Sequence, residues 1–458
     1  MTKHYQRSLH IFRRDLRLQD NSALIDALRL SEEVIPCFIF DPRQIDKNDY
    51  KSQSCLQIMA AALNELDEAL KKKGSRLFCF DGLSEKVIEK LIAYHDIDAV
   101  FINRDYTPFS RARDAHIEAS CHKQRVAFHS HADALLHEPE ECLKADNKPY
   151  TVFSHFFRRA AMLPVNAPTP NRYQNYYKQT IAGANYKTLE KLLKINNPEL
   201  IIKGGRAEAI RLLKKIPNFA DYKDMRNIPE KDATTHLSGH HKFGTASIRE
   251  TYAIITDTFG RHHTLINELY WRDFYTHIGY HFPHVFGASF REKYDDIQWD
   301  GHAAHLQRWC EGTTGFPIVD AGMRELNTTG FMHNRVRMIT ASFLTKDLHI
   351  NWREGEKYFA QQLVDYDPAV NNGSWQWSAS TGCDAQPYFR IFNPWLQQKK
   401  FDPDCLYIKK WIPELKDVNP KDIHKLLEKP LPKSIGYPAP IIEHRAASLK
   451  AKALFKHL

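Results

Sequence analysis

Short apolar runs alternate with amphipathic helical patterns over the first 130 residues of the chain. The apolar runs predict five buried strands, at 8–12, 34–40, 76–80, 99–103 and 126–130. The segments between them have apolar residues at helical spacing and predict helices at 22–30, 55–74, 84–95 and from about residue 110. Strict alternation of strand and helix predicts right-handed crossovers, and therefore a doubly wound, five-stranded parallel sheet with helices on both faces.

Sheets of this kind bind ligands at the carboxyl ends of their strands. The polar residues that follow the predicted strands are therefore candidates for ligand binding, namely Arg13, Arg14, Asp15, Asp41 and 104–106. No GxGxxG motif follows the first strand, so an NAD-type dinucleotide site is not expected here.

The pattern of the chain changes after residue 131. Segment 161–177 contains three prolines and many polar residues, which is typical of an irregular connector. After residue 200 the strand patterns disappear and apolar spacings of three and four dominate, which predicts a large all-α region. We therefore expect an α/β domain at 1–131, a connector at 132–200 and a helical domain at 201–458.

Charge and tryptophan are both distributed unevenly along the 458 residues. The net charge is +9; residues 1–130 contribute +1, from 20 basic and 19 acidic residues, and the rest of the chain contributes +8. All eight tryptophans follow residue 270. A basic, aromatic-rich half favours a polyanionic partner such as nucleic acid, because cations neutralise phosphates and flat rings stack on bases. A solvated basic face explains the charge equally well.

Cysteine and histidine usage narrows the class of protein further. The eight cysteines form no CxxC pair, the polar N-terminus lacks a signal-peptide pattern, and no run approaches 18 apolar residues. These features predict a cytoplasmic protein with free thiols and no membrane span. The 24 histidines show no HExxH or comparable spacing, so no metal site is expected.

Two predicted helices place unusual polar and aromatic residues on one face. The first set is Glu268, Trp271, Arg272 and Tyr275, and the second is Asn334, Arg337 and Met338. A helix edge with an ion pair and a partly exposed tryptophan would explain the first set. Burying two such mixed stripes costs several kcal/mol unless their polar groups find partners, so a pocket with polar ligands explains both sets better.

Two further segments have a composition that suggests chemistry. In 364–377 the residues Pro368, Asn371, Asn372 and Gly373 predict a turn that leads into two tryptophans. Asp365 and Asp367 are two apart and cannot share a helix face. Segment 234–247 supplies hydroxyls and glycine-permitted backbone amides that could bind phosphate, although core packing and ordinary loop structure explain both segments too.

Four long motifs carry a family resemblance: RRDLRLQDN (13–21), NELYWRDFY (267–275), the run from GFPIVDAGM to EGEKYF (315–359) and NNGSWQWSASTGCDAQPYFRIFNP (371–394). They closely resemble the photolyase/cryptochrome flavoproteins, and most of all class I cyclobutane pyrimidine dimer photolyases. The resemblance runs from about residue 8 to 445. It implies FAD in the helical domain and a second, light-harvesting antenna chromophore at the α/β domain.

The resemblance also implies which residues bind FAD. Contacts with the phosphates and ribityl chain are expected from Tyr222, Thr234, Thr235, His236, Leu237 and Ser238. His236 departs from the arginine of many relatives. Around the isoalloxazine ring the resemblance places the pair Arg337 and Asp365, with Tyr366 and Asp367 nearby, and sets Asn371 at the reactive flavin nitrogen. A neutral amide there suits the reduced, anionic flavin, whereas a carboxylate would repel it.

UV-damaged DNA is the implied partner, and the dimer must be flipped out of the duplex to reach the flavin. The implied substrate pocket contains Glu268, Trp271, Asn334, Met338 and Trp377, with Arg272 and Tyr275 on the same helix as Glu268, and the DNA strand is held by Arg226, Arg335 and Gln397. Excited, reduced FAD then donates an electron to the dimer, the cyclobutane ring opens and the electron returns. Trp375, Trp352 and Trp299 match the family's electron-transfer chain.

The resemblance leaves several choices, which individual residues help to decide. Enzymes for the (6-4) photoproduct have a histidine pair in the region corresponding to 333–338, where Asn334 and Met338 follow the pattern of cyclobutane dimer repair. A light-signalling photoreceptor and a simple damaged-DNA binder are the alternatives, and a monomer is expected. For the antenna, Ser110 and Phe286 occupy positions where folate-binding relatives have glutamate and lysine. Asp105 and Lys242 are similar to the deazaflavin-binding subset, so a deazaflavin is expected rather than methenyltetrahydrofolate.

Overall fold

The computed structural model describes residues 3–46, 48–231, 233–384 and 390–456, and it divides into two compact units. The first unit comprises Met1–Pro198, Ile202–Ala220 and Thr235–Pro283. The second comprises Glu199–Ile201, Asp221–Thr234 and His284–Leu458. Stretches 202–220 and 235–283, which the sequence assigned to the helical domain, thus pack with the first unit. The division at residues 131 and 200 stays a prediction.

The first unit contains the predicted five-stranded parallel sheet. Its strands are β1 (Tyr5–Phe12), β2 (Ser31–Phe40), β3 (Phe78–Asp81), β4 (Ala99–Asn103) and β5 (Ala127–His131), in the order β3-β2-β1-β4-β5. Leu9 of β1 pairs with Ile35 of β2 and Val100 of β4, and all three are buried. Runs of fully buried β-branched and aliphatic residues are typical of a parallel sheet covered on both faces. The predicted sheet is therefore confirmed.

Eleven helices of the described residues belong to the first unit. They are α1 (Ser22–Leu30), α2 (Pro42–Ile45), α3 (Gln53–Lys71), α4 (Ser84–His95), α5 (Pro108–Lys123), α6 (Phe153–Ala160), α7 (Lys187–Leu192), α8 (Arg206–Leu213), α10 (Ser238–Phe243), α11 (Ile248–Phe259) and α12 (Thr264–His281). Local capping explains several of these ends. Asn21 accepts a hydrogen bond from the backbone N–H of Leu24 and starts α1 at the predicted residue.

The regular elements that the structure describes in the second unit are all helical. They are α9 (Tyr222–Met225), α13 (Ala303–Glu311), α14 (Pro317–Thr329), α15 (Asn334–Ser342) with a π-helical turn at Phe343–Asp347, α16 (Trp352–Gln362), α17 (Pro368–Ala379), α18 (Pro394–Phe401), α19 (Leu406–Trp411), α20 (Pro420–Ile423) and α21 (His444–Lys456), with short 3₁₀ turns between them. Trp309, Trp352 and Trp375 lie fully buried in one apolar core. None of the helices described in either unit is long and apolar enough to cross a membrane.

The turn predicted at 368–373 is wrong, because these residues form the beginning of α17. Pro368 occupies the first helical position, where its missing N–H removes no helical hydrogen bond. Asp367 caps the helix by accepting hydrogen bonds from the backbone N–H groups of Ala369 and Val370. A proline that was interpreted as a turn signal therefore marks a helix start.

Candidate functional site

The first predicted stripe lies on α12 in the first unit. The rings of Trp271 and Tyr275, one helical turn apart, have centres 5.5 Å apart, so the two residues share a face. Glu268 lies on the preceding turn and is partly buried. One face of the Trp271 indole is covered by the ring of Phe153, with centres 3.6 Å apart and planes only 6° from parallel. Phe153 belongs to α6, within the predicted connector, and no sequence pattern pointed to it.

Arg272 makes contacts within the first unit that anchor α12. Its guanidinium donates hydrogen bonds to the main-chain oxygens of Ala134 and His241. The neighbouring Asp273 is fully buried and accepts a hydrogen bond of 2.8 Å from the backbone N–H of Leu136. Burial raises the pKa of Asp273 to about 7. A role of Arg272 toward DNA stays a prediction.

Segment 235–238, also in the first unit, has an irregular backbone. The backbone N–H of Leu237 donates to the Thr235 hydroxyl at 3.4 Å, and His236 adopts a left-handed conformation with φ of 52°. Ser238 begins α10, and Leu237 is buried. The other residues expected at the FAD phosphates, Thr234 and Tyr222, belong to the second unit, so the predicted set is divided between the units.

The second stripe lies on α15 in the second unit. Asn334 Nδ2 lies 4.0 Å from Met338 Sδ, so the two residues predicted to face a dimer are in contact on one side of the helix. Asn334 is exposed and Met338 partly buried. Arg335 donates to Asn227 Oδ1 at 2.7 Å, and its guanidinium lies 4.6 Å from the centre of the Phe401 ring.

Arg337 on the same helix forms a two-pronged ion pair with Asp365. Its Nη1 and Nη2 atoms donate to the two carboxylate oxygens at 3.3 and 3.0 Å, and Nε donates to the main-chain oxygen of Met332 at 2.7 Å. The Asp365 side chain is only 5% exposed, whereas Arg337 is 24% exposed. The structure thus brings together the pair that the resemblance places beside the flavin ring.

Asn371 lies on α17 and is held by α16. Its Nδ2 donates to the main-chain oxygen of Glu356 at 3.1 Å, and within the described residues no donor reaches its Oδ1. Asn372 donates to Glu356 Oε1 at 3.3 Å and to the main-chain oxygen of Val285 at 2.8 Å. Burial raises the pKa of Glu356 to about 7. Glu356 lies within the third family motif, but no role was predicted for it, because only the packing of α16 on α17 places it next to this pair.

The start of α15 is fixed by a second buried carboxyl group. Glu325 Oε2 accepts hydrogen bonds from the Tyr407 hydroxyl at 2.6 Å and from the backbone N–H of His333 at 3.2 Å. His333 in turn caps α15 by accepting from the backbone N–H of Arg335. Burial raises the pKa of Glu325. This network sets the position of the helix that carries Asn334, and sequence reasoning missed it.

The tryptophans of the predicted electron-transfer chain all belong to the second unit. Trp375 and Trp352 are fully buried, while Trp299 is partly exposed and packs edge-on against Phe455 with ring centres 6.2 Å apart. Trp375 contacts Phe359, with ring centres 4.9 Å apart. Of these three tryptophans, two are therefore shielded from water and one is partly exposed, and their role in electron transfer stays a prediction.

The remaining predicted contacts are spread over the second unit. The Arg390 guanidinium lies 4.9 Å from the centre of the Trp377 ring, and that of Arg226 lies 5.5 Å from the centre of the Tyr222 ring. Gln397 lies on α18, and Tyr366 precedes the capping residue of α17. Residues 385–389 of the fourth motif lie outside the described residues.

A charged cluster lies at the carboxyl ends of β1 and β4 in the first unit. Asp105 accepts hydrogen bonds from Arg14 at 3.2 Å and from the Ser110 hydroxyl at 2.8 Å, and Arg14 donates to the main-chain oxygen of Lys242. Burial opposes ionisation of Asp105, but Arg14 and Arg113 outweigh it and hold its pKa below the ordinary value. Arg14 thus links the two residues expected at the antenna, because it contacts the carboxylate of Asp105 and the main chain of Lys242.

Comparison with known proteins gives these sites a context. Residues 8–171 match the family described as DNA photolyase, and residues 265–457 match the FAD binding domain of DNA photolyase. The chain is 37% identical to the deoxyribodipyrimidine photo-lyase of a Synechococcus strain, over 97% of this chain and 96% of the relative. The chain belongs to the DNA photolyase family.

Solved photolyase structures share the fold of this photolyase over its full length. The archaeal photolyase from Sulfolobus tokodaii, described as containing two FAD molecules, is 42% identical, covers 99% of this chain and superposes with a TM-score of 0.91. A bacterial class III photolyase from Agrobacterium tumefaciens is 34% identical, covers the whole chain and has the same TM-score. The photolyase and cryptochrome resemblance and the predicted fold are both confirmed.

The residues of the second unit fit the flavin that this family implies. A reduced isoalloxazine ring presents an N–H donor, and Asn371 Oδ1 is an acceptor whose amide is oriented by the Glu356 main chain. The paired Arg337 and Asp365 offer a donor and an acceptor of opposite charge at fixed separation. The donor set therefore suits a flavin ring and, since Asn371 is neutral, does not repel a reduced, anionic one.

Proposed function

We propose that this photolyase is a deoxyribodipyrimidine photo-lyase, a light-driven lyase that flips a cyclobutane pyrimidine dimer out of DNA and splits it. The observation that carries the proposal is the composition of α15. On this one helix Asn334 and Met338 are in contact on one side, while Arg337 is paired with Asp365. A helix of this kind supplies both a base-binding surface and a group for the flavin. The photo-lyase names of relatives over nearly the full length support the same activity.

FAD is the proposed resident cofactor, held by the residues that the family motifs assign to it. Bound in its reduced form, it would supply the electron that opens the cyclobutane ring and accept that electron back. The chain's own contribution is to position it: Arg337 and Asp365 hold the ring, Asn371 accepts a hydrogen bond, and Tyr366 and Asp367 lie next to them in sequence. Tyr222, Thr234, Thr235, His236, Leu237 and Ser238 are proposed to contact the phosphates and ribityl chain.

The substrate residues are proposed to act on the flipped dimer by stacking and hydrogen bonding. Trp271 and Trp377 offer indole faces, Glu268 accepts a hydrogen bond from a base edge, and Met338 gives a polarisable apolar contact. Removing the dimer from water strengthens each of these polar contacts. Arg226, Arg335 and Gln397 are proposed to hold the DNA strand around the pocket. Arg272 and Tyr275 are counted with the substrate residues, because they lie on the same helix as Glu268 and Trp271.

Trp375, Trp352 and Trp299 are proposed to carry electrons to oxidised flavin in the light, and so to restore the active reduced form. The burial of Trp375 and Trp352 supports this role, because a radical on a buried indole is protected from reaction with water. The partial exposure of Trp299 allows reduction by an external donor.

For the antenna we propose a deazaflavin bound near Asp105 and Lys242 in the first unit. A second FAD is the alternative candidate, because the Sulfolobus tokodaii relative is described as holding two FAD molecules and is 42% identical. The absorption spectrum of protein purified from its native source separates these candidates. A band well beyond 400 nm that is distinct from flavin indicates a deazaflavin. Flavin bands that correspond to two equivalents per chain indicate a second FAD, and a band in the near ultraviolet indicates a folate.

The proposed activity is tested by reducing the purified holoprotein and illuminating it with blue light in the presence of an oligonucleotide containing one thymine dimer. We expect the dimer to be converted to two adjacent intact thymines within the strand in the light, and no conversion in the dark. An otherwise identical oligonucleotide with a (6-4) photoproduct is the control and should stay unrepaired.

Flavin-containing protein that binds the dimer but leaves it intact would instead support the light-signalling photoreceptor, and colourless protein would support a simple damaged-DNA binder. Cytoplasmic localisation and a monomeric state stay predictions; sedimentation tests the second.

A further inference from the structure

The helix α6 packs on α12 through an aromatic ladder in the first unit. Phe156 contacts Phe274 with ring centres 5.4 Å apart, and Phe157 meets Tyr270 edge-on at 5.3 Å. At the N-terminal end of α6, Phe153 lies flat on Trp271. Each of these rings contributes apolar contact area, but only Phe153 lies flat against the tryptophan assigned to the dimer.

The geometry of the Phe153 and Trp271 pair is that of a base stack. Ring centres 3.6 Å apart and planes 6° from parallel place the two π-systems in full face contact. Phe274 meets the Trp271 ring edge-on at 5.8 Å with an angle of 81°. Tyr275 is the third aromatic neighbour, with its ring centre 5.5 Å from that of Trp271 and its plane tilted by 32°. Of the three, Phe153 alone lies parallel to the indole and covers its face, so it does most to set the plane of the ring.

We propose that Phe153 is a positioning residue for the dimer. It closes one face of the Trp271 indole and fixes the plane of the ring, so that a flipped pyrimidine meets a rigid surface that is already oriented. Aromatic side chains lose little conformational entropy when they are held in this way, and a surface arranged before binding avoids part of the ordering cost of association. This inference rests on the proposed contact between Trp271 and the dimer.

A phenylalanine suits this position for a physical reason. Its flat face matches the indole in shape and carries no polar group that would need a partner when covered. A methionine of similar volume would keep the apolar contact but could not hold the indole plane. A tyrosine would keep the flat face. Phe153→Met and Phe153→Tyr therefore separate the shape of the ring from simple apolar burial.

The test compares these variants with Phe157→Leu, which changes an α6 ring that contacts Phe153 and Tyr270. We measure the dissociation constants for oligonucleotides with and without a thymine dimer, and the repair yield per absorbed photon at saturating DNA. Phe153→Met should weaken binding of dimer-containing DNA by about three- to tenfold, because one side chain, the Trp271 indole, must then be ordered when the dimer binds. Binding of undamaged DNA and the saturated repair yield should stay unchanged. Phe153→Tyr and Phe157→Leu should stay within about twofold of the parent.

Three results would overturn the inference. The first is a loss of affinity in Phe153→Met that is equal for damaged and undamaged DNA. The second is the same loss of affinity for the dimer in Phe157→Leu. The third is an undiminished effect of Phe153→Met on dimer binding when Trp271 is already replaced by alanine. If Phe153→Met does not retain FAD, Phe153→Leu replaces it with the same expectation. Trp271→Ala decides where a failure lies. If it leaves dimer binding unchanged, the proposed role of Trp271 fails together with the inference; if it weakens binding while Phe153→Met does not, only the inference fails.

Discussion

The buried carboxyl group of Glu356 makes the stability of this photolyase depend on pH in a defined direction. Glu356 is 5% exposed and has no cation within hydrogen-bonding distance among the described residues; its side chain accepts from Asn372 instead. Burial raises its pKa from 4.5 to about 7. Because the folded state holds this proton more tightly than the unfolded chain, folding is favoured while the group stays protonated.

The magnitude follows from the change in pKa. Between pH 4.5 and about 7 the folded state binds the proton and the unfolded state has released it, so the free energy of unfolding falls as the pH rises. Each pH unit contributes about 1.4 kcal/mol, which gives a loss of about 3 kcal/mol over the window and no further change above it. Glu356→Gln removes the titration and keeps an oxygen for Asn372. The free energy of unfolding of this variant should therefore equal that of the parent near pH 4.5 and be higher than that of the parent at pH 8.

The assay is thermal unfolding followed by circular dichroism at pH 5, 6, 7 and 8. A chain with two compact units does not guarantee two-state unfolding, so the quantity compared is the difference in Tm between variant and parent at each pH. Glu356→Gln should raise Tm by about 5 °C at pH 8 and by clearly less at pH 5. Glu354→Gln on the same helix is the matched control, because Glu354 is exposed. A Tm difference that does not change with pH, or a variant less stable at pH 8, would refute the reasoning.

Three further predictions concern the flavin and DNA sites. Arg337→Met leaves the 5% exposed carboxylate of Asp365 without its cation and should lower the free energy of unfolding by about 3–5 kcal/mol. Asp365→Asn should lower it less, because the unpaired Arg337 still reaches water; urea denaturation of both variants checks this order. Trp352→Phe should slow blue-light reduction of oxidised flavin at least about tenfold, by absorption spectroscopy, yet leave repair by chemically reduced enzyme unchanged. Arg335→Ala should weaken the binding of damaged and undamaged DNA by the same factor. It should also reduce the slope of log K against log salt by about 1, measured by binding titrations at several salt concentrations.

The α/β half of the fold follows from local patterns. Apolar runs bounded by turn residues identify strands, and α1 begins where the sequence predicts because Asn21 is a strong N-terminal cap. The parallel order follows from strict alternation of strand and helix. The error at α17 has the opposite cause: Pro368 is compatible with a turn and with the first position of a helix, and Asp367 decides between them only through hydrogen bonds that the sequence does not display.

Helical spacing predicted part of the candidate site. Asn334 and Met338 are in contact because residues four apart lie on the same face of a helix, and the same rule brings Trp271 next to Tyr275. The spacing does not predict which residues of other helices or loops these side chains contact. Arg272 has the correct spacing for the stripe, yet its guanidinium donates to main-chain oxygens of residues distant in sequence. A side chain's place on a helix is local information, whereas its partner is not.

The residues that sequence reasoning missed share one physical property. Each contacts a residue of another element. Phe153 covers the Trp271 indole, Glu325 accepts the hydrogen bond that fixes the start of α15, and the main-chain oxygen of Glu356 accepts a hydrogen bond from the Asn371 amide. None carries a reacting group, so residue type alone does not mark them. Each nevertheless fixes an orientation, and orientation controls how well stacking and hydrogen bonding discriminate a damaged base. The specificity of this photolyase should therefore depend on these supporting residues as well as on the residues predicted to contact the flavin and the dimer. Phe153 offers the most direct test, because its contact with Trp271 can be changed without altering any charge.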